Sequence, residues 1–270
     1  MSTPATMGAG AVDRDWLQEA LAGGLGAADI VAHRVVHGGS RFRDAVLVDD
    51  DVRAALDELT ALAPLHQPKS LAALDAVTEL LPELPAVACF DTAFHATLPD
   101  AAATFALPAE WRERWPLRRY GFHGLSHAYI ASHVAATVGA GLRIVSCHLG
   151  AGASLCAIAE GRSVDTTMGF TPLDGLVMAT RSGSVDPGLL LWLLERTGLT
   201  EQKLAAALEH ESGLLGLTTE LLTVLTASGR AWRPPRESPM RCIDSSLVRR
   251  QSRPATRQPP ASNYVVSPKH

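Results

Sequence analysis

The chain changes character near Thr218, and that break limits how much of it can build a core. From Ser228 to His270 it holds eight Arg, one Lys and seven Pro against one Asp and one Glu, with no apolar period. Such a stretch buries too little apolar surface to offset the entropy of ordering, so it reads as a disordered tail. The overall charge of −4 therefore joins a body of −11 to a tail of +7. No groove-reading motif or aromatic–basic interleaving accompanies the cations, so nucleic acid is not expected as a partner. The tail's composition resembles out-of-frame translation of a GC-rich gene.

The body is patterned as a globular protein. Hydrophobic residues make up 47% and charged residues 19% of the chain, enough for a sizeable core. Runs such as Gly188–Leu194 are too short to span a bilayer, and no basic-then-apolar leader is visible. A cytoplasmic protein with no membrane partner is expected. Cys89, Cys147, Cys156 and Cys242 lack CxxC spacing; the first three lie in strand-like stretches and read as buried free thiols.

Strand and helix signals alternate along the body, which argues for an α/β fold. Ile30–Val36 reads as a strand entering the Gly38-Gly39 turn, and Ala86–Phe90 as a strand delivering Asp91 at its carboxyl end. Helical spacing covers Asp13–Leu25, Asp49–Leu62, Pro68–Leu81, His123–Val138, Pro187–Arg196 and Glu201–His210. Two strands, Leu142–Cys147 and Ser154–Ile158, flank a Gly-rich turn.

Several residue types in this pattern suit phosphoryl transfer, which depends on positioning and charge neutralisation. Arg34 sits in His33-Arg34-Val35-Val36-His37-Gly38-Gly39, and Arg181 in Thr180-Arg181-Ser182-Gly183. Guanidinium groups dock carboxylate and phosphate bidentately, although a structural ion pair explains either one alone as well. The turn His148-Leu149-Gly150-Ala151-Gly152 lets backbone N–H groups approach phosphate, and a simple tight turn explains it too. It is neither a Walker A loop, lacking GK[ST], nor a Rossmann turn, because a strand follows. His123 stands at a loop-to-helix junction, with His127 one turn on in a packing or capping position. The spacing repeats at His33/His37, but neither pair carries the HExxH glutamate, and zinc is the lesser reading.

Taken together, His33–Gly39, Ala63–His66, Phe90–His95, Arg119–His127, His148–Ser154 and Asp165–Gly188 resemble the acetate kinases, in the same order and with similar spacing. The resemblance spans 32–217. It implies the two-domain actin-like ATPase fold, ribonuclease-H-like, incomplete at both ends. Residues 1–27 would then be unrelated or disordered. Residues 28–93 would be the remainder of the N-terminal domain, 94–218 part of the C-terminal domain, and 219–270 a tail outside the family.

Residue by residue, the resemblance makes Asp91, His123 and Arg181 catalytic. Asp91 would position the acceptor or a metal-bound water, because a carboxylate acceptor is already ionised at neutral pH. Arg34 and Arg181 would bind acetate and the transferring phosphoryl group, His66 would support the same substrate site, and Val36, Leu65, Phe122 and Pro172 would hold the methyl group. His148, Leu149, Gly150, Ala151 and Gly152 would hold the ATP phosphates. ATP, Mg²⁺, acetate and a homodimer are implied with them.

The chain also departs from the family pattern. Nothing in Met1–Asp29 matches the opening Asn-x-Gly-Ser-Ser-Ser-x-Lys turn, and Ala151 stands where Asn is usual. The adenosine-binding glycine motif and the metal-binding glutamate have no counterpart after Leu217. Two expectations follow: an acetate kinase-type phosphotransferase, or a truncated, non-catalytic remnant of one. Propionate or another short-chain acid is a lesser alternative acceptor, since one methylene shifts affinity by only about 1–3 kcal/mol.

Overall fold

The computed structural model describes residues 18–19, 28–64 and 66–217. Most of the expected helix Asp13–Leu25, pocket residue Leu65, Cys242 and the tail from 219 lie outside the described residues. Two three-stranded sheets organise the rest.

The first sheet has β3 (Ala86–Phe90) at its centre. β1 (Val31–Val35) runs parallel to it on one side, and the short β2 (Val46–Leu47) antiparallel on the other. Val35, Ala88 and Phe90 turn inward onto Phe42, Ala55, Leu56 and Leu71, and the Phe42 and Phe90 rings stack at 5.2 Å. Helices α1 (Asp50–Glu58) and α2 (Gln67–Leu80) supply the outer layer. Asp49 caps α1 by accepting from the Val52 N–H at 2.8 Å. The single helix expected over Asp49–Leu62 is divided: after Glu58 the chain tightens into a 3₁₀ turn, Leu59–Leu62, ahead of Pro64. Gln67 is wholly buried. It donates to the carbonyls of His37 and Leu56 and accepts from the His37 N–H, tying the segment after β1 to α1.

Two short helices, α3 (Asp100–Ala103) and α4 (Ala109–Arg114), and then α5 (Gly124–Thr137) lead to the second sheet. That sheet is an antiparallel meander of β4 (Arg143–Leu149), β5 (Ala153–Ala159) and β6 (Arg162–Thr166). β5 lies at its centre, and Cys156 and Ile158 pack with Ala131 of α5, Phe94 and Ile144. Cys147 is exposed, correcting its reading as a buried thiol: alternation on β4 turns it away from the face that buries Ser146. Cys89 is half-buried and Cys156 buried. β6 follows a two-residue turn in which Glu160 and Gly161 both have positive φ, as a tight hairpin of this type requires.

Helices α6 (Pro187–Arg196), α7 (Glu201–His210) and α8 (Gly213–Leu217) complete the described chain. Asp186 and Thr200 cap the first two. Among the described residues no helix is long and apolar enough to cross a membrane.

Candidate active site

Parallel pairing of β1 and β3 brings their carboxyl ends together, the usual place for a site in such sheets. Asp91 follows β3 directly, and its N–H bonds to the Val35 carbonyl at 3.1 Å. Arg34 Nε lies 3.0 and 3.1 Å from the two Asp91 oxygens, and Nη2 lies 2.6 Å from Oδ2. Asp91 is buried while the Arg34 side chain is 61% exposed, so the pair has a fixed end and an open end. Hydrogen bonding to Asp91 outweighs partial burial and pushes Arg34 above its usual pKa. A guanidinium has five N–H donors, and Arg34 Nη1 has no acceptor among the described residues.

Arg181 is held differently. Its Nε lies 2.7 Å from Glu209 Oε1 in an ion pair, and Nη1 donates to the Pro172 carbonyl at 3.2 Å. Glu209, on α7, is buried, and His66 Nε2 lies 3.6 Å from the same Oε1. The His66 ring, and then the Arg181 charge, hold the Glu209 carboxyl below the usual carboxylate range against the effect of burial. Arg181 Nη2 has no protein acceptor among the described residues. Glu209 was not singled out in the sequence. Its sole signal was that an Arg in a buried stretch needs an anion, and helical spacing over Glu201–His210 does not say which one.

The third element is made of histidines. His123 precedes α5 with φ 59°, a left-handed conformation a non-glycine residue adopts at a strain of about 1–3 kcal/mol. Its neighbours explain why it stays there. A Cβ on Gly124 would collide with the Asp91 carbonyl, and one on Gly121 would sit 2.7 Å from the His95 ring. The segment is thus pressed against the strand that carries Asp91. His123 Nδ1 lies 2.9 Å from Ser154 Oγ, and its ring stacks on His148 at 4.0 Å. Burial, then the charges of His148, Arg34, His127 and Arg181, push His123 down to about 3, so it is neutral at pH 7.

His127 is wholly buried, with both ring nitrogens bonded to serines, Ser146 at 2.8 Å and Ser154 at 2.9 Å. That leaves it no lone pair for a metal. The β4–β5 turn packs beside this cluster: a Cβ on Gly152 would sit 3.4 Å from both the His123 ring and Arg181 Nη1. Gly150 N–H bonds across the turn to the Gly152 carbonyl, and the N–H groups of Ala151 and Gly152 have no acceptor among the described residues. Two free adjacent N–H groups fit an anion.

These parts surround one open cleft of ≈ 290 Å³, lined by Arg34, Val36, His66, Asp91, Phe122, His123, Pro172 and Arg181. All eight are among the expected site residues. Ser70, one turn after His66 on α2, also lines it and had no sequence signal beyond its place on that helix. Of the hairpin, His148 and Gly152 reach His123, while Leu149 is 73% exposed and faces away.

The residues present do not form a protein metal cage. Asp91 and Glu209 are both committed to guanidinium groups, and among the described residues no group of three His, Cys, Asp or Glu is placed to hold an ion.

Comparison with known proteins agrees with this geometry. The family model described as the acetokinase family matches residues 15–229. An acetate kinase of Bacillus mycoides is 50% identical over 191 residues, covering 70% of this chain and 48% of that protein. Among solved structures, a propionate kinase from Francisella tularensis superposes with TM-score 0.67 at 43% identity, covering 69% of this chain and 50% of that one. An acetate kinase from Porphyromonas gingivalis gives TM-score 0.66 at 41% identity, covering 71% and 49%. The chain thus spans about half the length of the curated relatives it matches.

Proposed function

The chain belongs to the acetokinase family, with the actin-like ATPase fold of its structural neighbours, and from that premise we propose that the cleft is the acceptor and transfer wall of an acetate kinase-type phosphotransferase. The observation that carries this reading is the convergence of Arg34, Arg181 and a neutral His123 on one cleft, with Arg34 Nη1 and Arg181 Nη2 free of any acceptor among the described residues.

The reaction is ATP + acetate → acetyl phosphate + ADP. An acetate oxygen forms a bond to the γ-phosphorus as the bond to the β,γ-bridging oxygen breaks, and ADP leaves with that electron pair. Two unit negative charges 4 Å apart repel by about 4 kcal/mol at an effective dielectric near 20, and the site must offset this. Arg34 binds the acetate carboxylate, with Asp91 fixing its orientation rather than removing a proton. Val36, Phe122 and Pro172 face the methyl group. Arg181 Nη2 and His123 meet the equatorial oxygens, where charge builds during transfer. The free N–H groups of Ala151 and Gly152 take the nucleotide phosphates. ATP and Mg²⁺, a cytoplasmic setting and a homodimer come with the family reading. Asp91 is committed to Arg34 and Glu209 to Arg181, which leaves neither carboxylate free for Mg²⁺.

That commitment favours a second reading, in which the chain binds the acyl group and phosphate without turning over. Hydroxylamine trapping of acetyl phosphate from acetate and MgATP separates the two. Hydroxamate that disappears in Arg181→Ala supports catalysis. No hydroxamate, with acetate still bound, supports the second reading. Neither product nor acetate binding overturns both. Propionate run in parallel decides the acyl preference.

A further inference from the structure

Ser154 Oγ is wholly buried between two imidazoles, 2.9 Å from His123 Nδ1 and 2.9 Å from His127 Nε2. A hydroxyl has one proton and two lone pairs; accepting from both rings would leave its own hydrogen buried without an acceptor, so Ser154 donates to one of these nitrogens and accepts from the other. The tautomers of His123 and His127 are therefore coupled: one ring presents N–H to Ser154, the other a lone pair.

The far end of the chain selects between the two arrangements. His127 Nδ1 lies 2.8 Å from Ser146 Oγ, which is 3% exposed and has no other hydrogen bond among the described residues. If His127 Nδ1 carried the proton, the Ser146 hydroxyl hydrogen would be buried without an acceptor, at about 1–3 kcal/mol. If Ser146 donates to Nδ1, its only proton is paired. His127 then holds its proton on Nε2 and donates to Ser154, and Ser154 donates to His123 Nδ1. His123 is left with its proton on Nε2, the nitrogen beside Gly152 and the cleft.

We infer that Ser154 and His127 are positioning residues: the one-way chain Ser146 → His127 → Ser154 → His123 holds His123 as the Nε2–H tautomer. His123 then offers the cleft an uncharged N–H donor rather than a lone pair that would repel a phosphoryl oxygen. Its value for transfer rests on the reading of the cleft given above; the tautomer itself does not. The low pKa of His123, about 3, agrees with a neutral ring.

His95 supplies an internal reference. Its Nε2 lies 3.0 Å from the Phe122 carbonyl, which can only accept, so His95 is Nε2–H and Nδ1 accepts from Ser163 at 2.8 Å.

The test is ¹⁵N NMR of the full chain labelled at histidine, at pH 7 and without substrate, with His123→Gln assigning the signal. The expected spectrum shows His123 and His95 each with a protonated Nε2 and a lone-pair Nδ1. In Ser154→Ala, and in Ser146→Ala at the far end, His123 loses its single-tautomer pattern while His95 keeps it. A wild-type His123 protonated at Nδ1, or at both nitrogens, overturns the inference even if neither variant folds. So does a folded Ser154→Ala in which His123 stays purely Nε2–H. An Nε2–H His123 in a chain that binds no acetate would count against the functional reading and leave the positioning chain standing.

Discussion

The charged and the neutral groups gathered around the cleft reach readiness for an anion by opposite means. On the one hand Arg34–Asp91 and Arg181–Glu209 keep full charges by pairing them, each carboxylate buried and each guanidinium left with spare donors. On the other, His123 and His127 are kept neutral by burial and tied together through Ser154. On the proposed function the difference is a division of labour. A carboxylate that must be captured from water needs a fixed positive charge. A phosphoryl group that must arrive and leave meets a directed neutral donor, His123, beside the Arg181 cation.

Acid should break this comparison most severely. Unfolded imidazoles take up a proton near pH 6.5, whereas burial holds folded His37, His95 and His127 back until about pH 4. The unfolded chain therefore binds more protons in this window, and stability falls as pH falls from 6.5 to about 4, by about 1.4 kcal/mol per pH unit for each ring. Urea unfolding at pH 7, 6 and 5 measures the slope. A flat profile would mean these rings are not buried neutral.

The charged side breaks next. Arg181→Ala leaves Glu209 buried without its cation and is expected to cost about 3 kcal/mol of stability by urea unfolding. Arg34→Lys should separate stability from binding. Arg34 is mostly exposed, so stability changes by less than about 1 kcal/mol, while losing the two-pronged fork weakens acetate binding by roughly tenfold in calorimetry. The smallest effect lies away from both sides: Asp49→Ala removes the α1 cap, costs about 1 kcal/mol, and leaves acetate affinity unchanged.

The legible parts of the site were those whose chemistry sits next to a local signal. Asp91 ends an apolar strand, His123 opens a helix, and the glycines of the hairpin separate two strands, so each announced its place. Glu209 and Ser146 did not, because what they do depends on partners on other elements. Glu209 sits in an ordinary amphipathic helix 28 residues from Arg181, and Ser146 occupies one alternating position of β4. β2 was missed since two residues carry no period, and β6 because Arg162-Ser163-Val164-Asp165-Thr166 alternates with mostly polar side chains. The cysteine reading failed at Cys147 for a related reason: which face of β4 is covered is decided by α5, not by the strand.

The most direct measurement is an acetate titration by calorimetry from pH 6 to pH 8, on the wild-type chain, Arg34→Ala and His123→Gln. Paired guanidinium charges and neutral imidazoles predict saturable binding that is constant across this range, lost in Arg34→Ala and kept in His123→Gln. Affinity that rises as pH falls toward 6.5 and vanishes with His123 would put the binding charge on the histidines and contradict the division between charged and neutral groups.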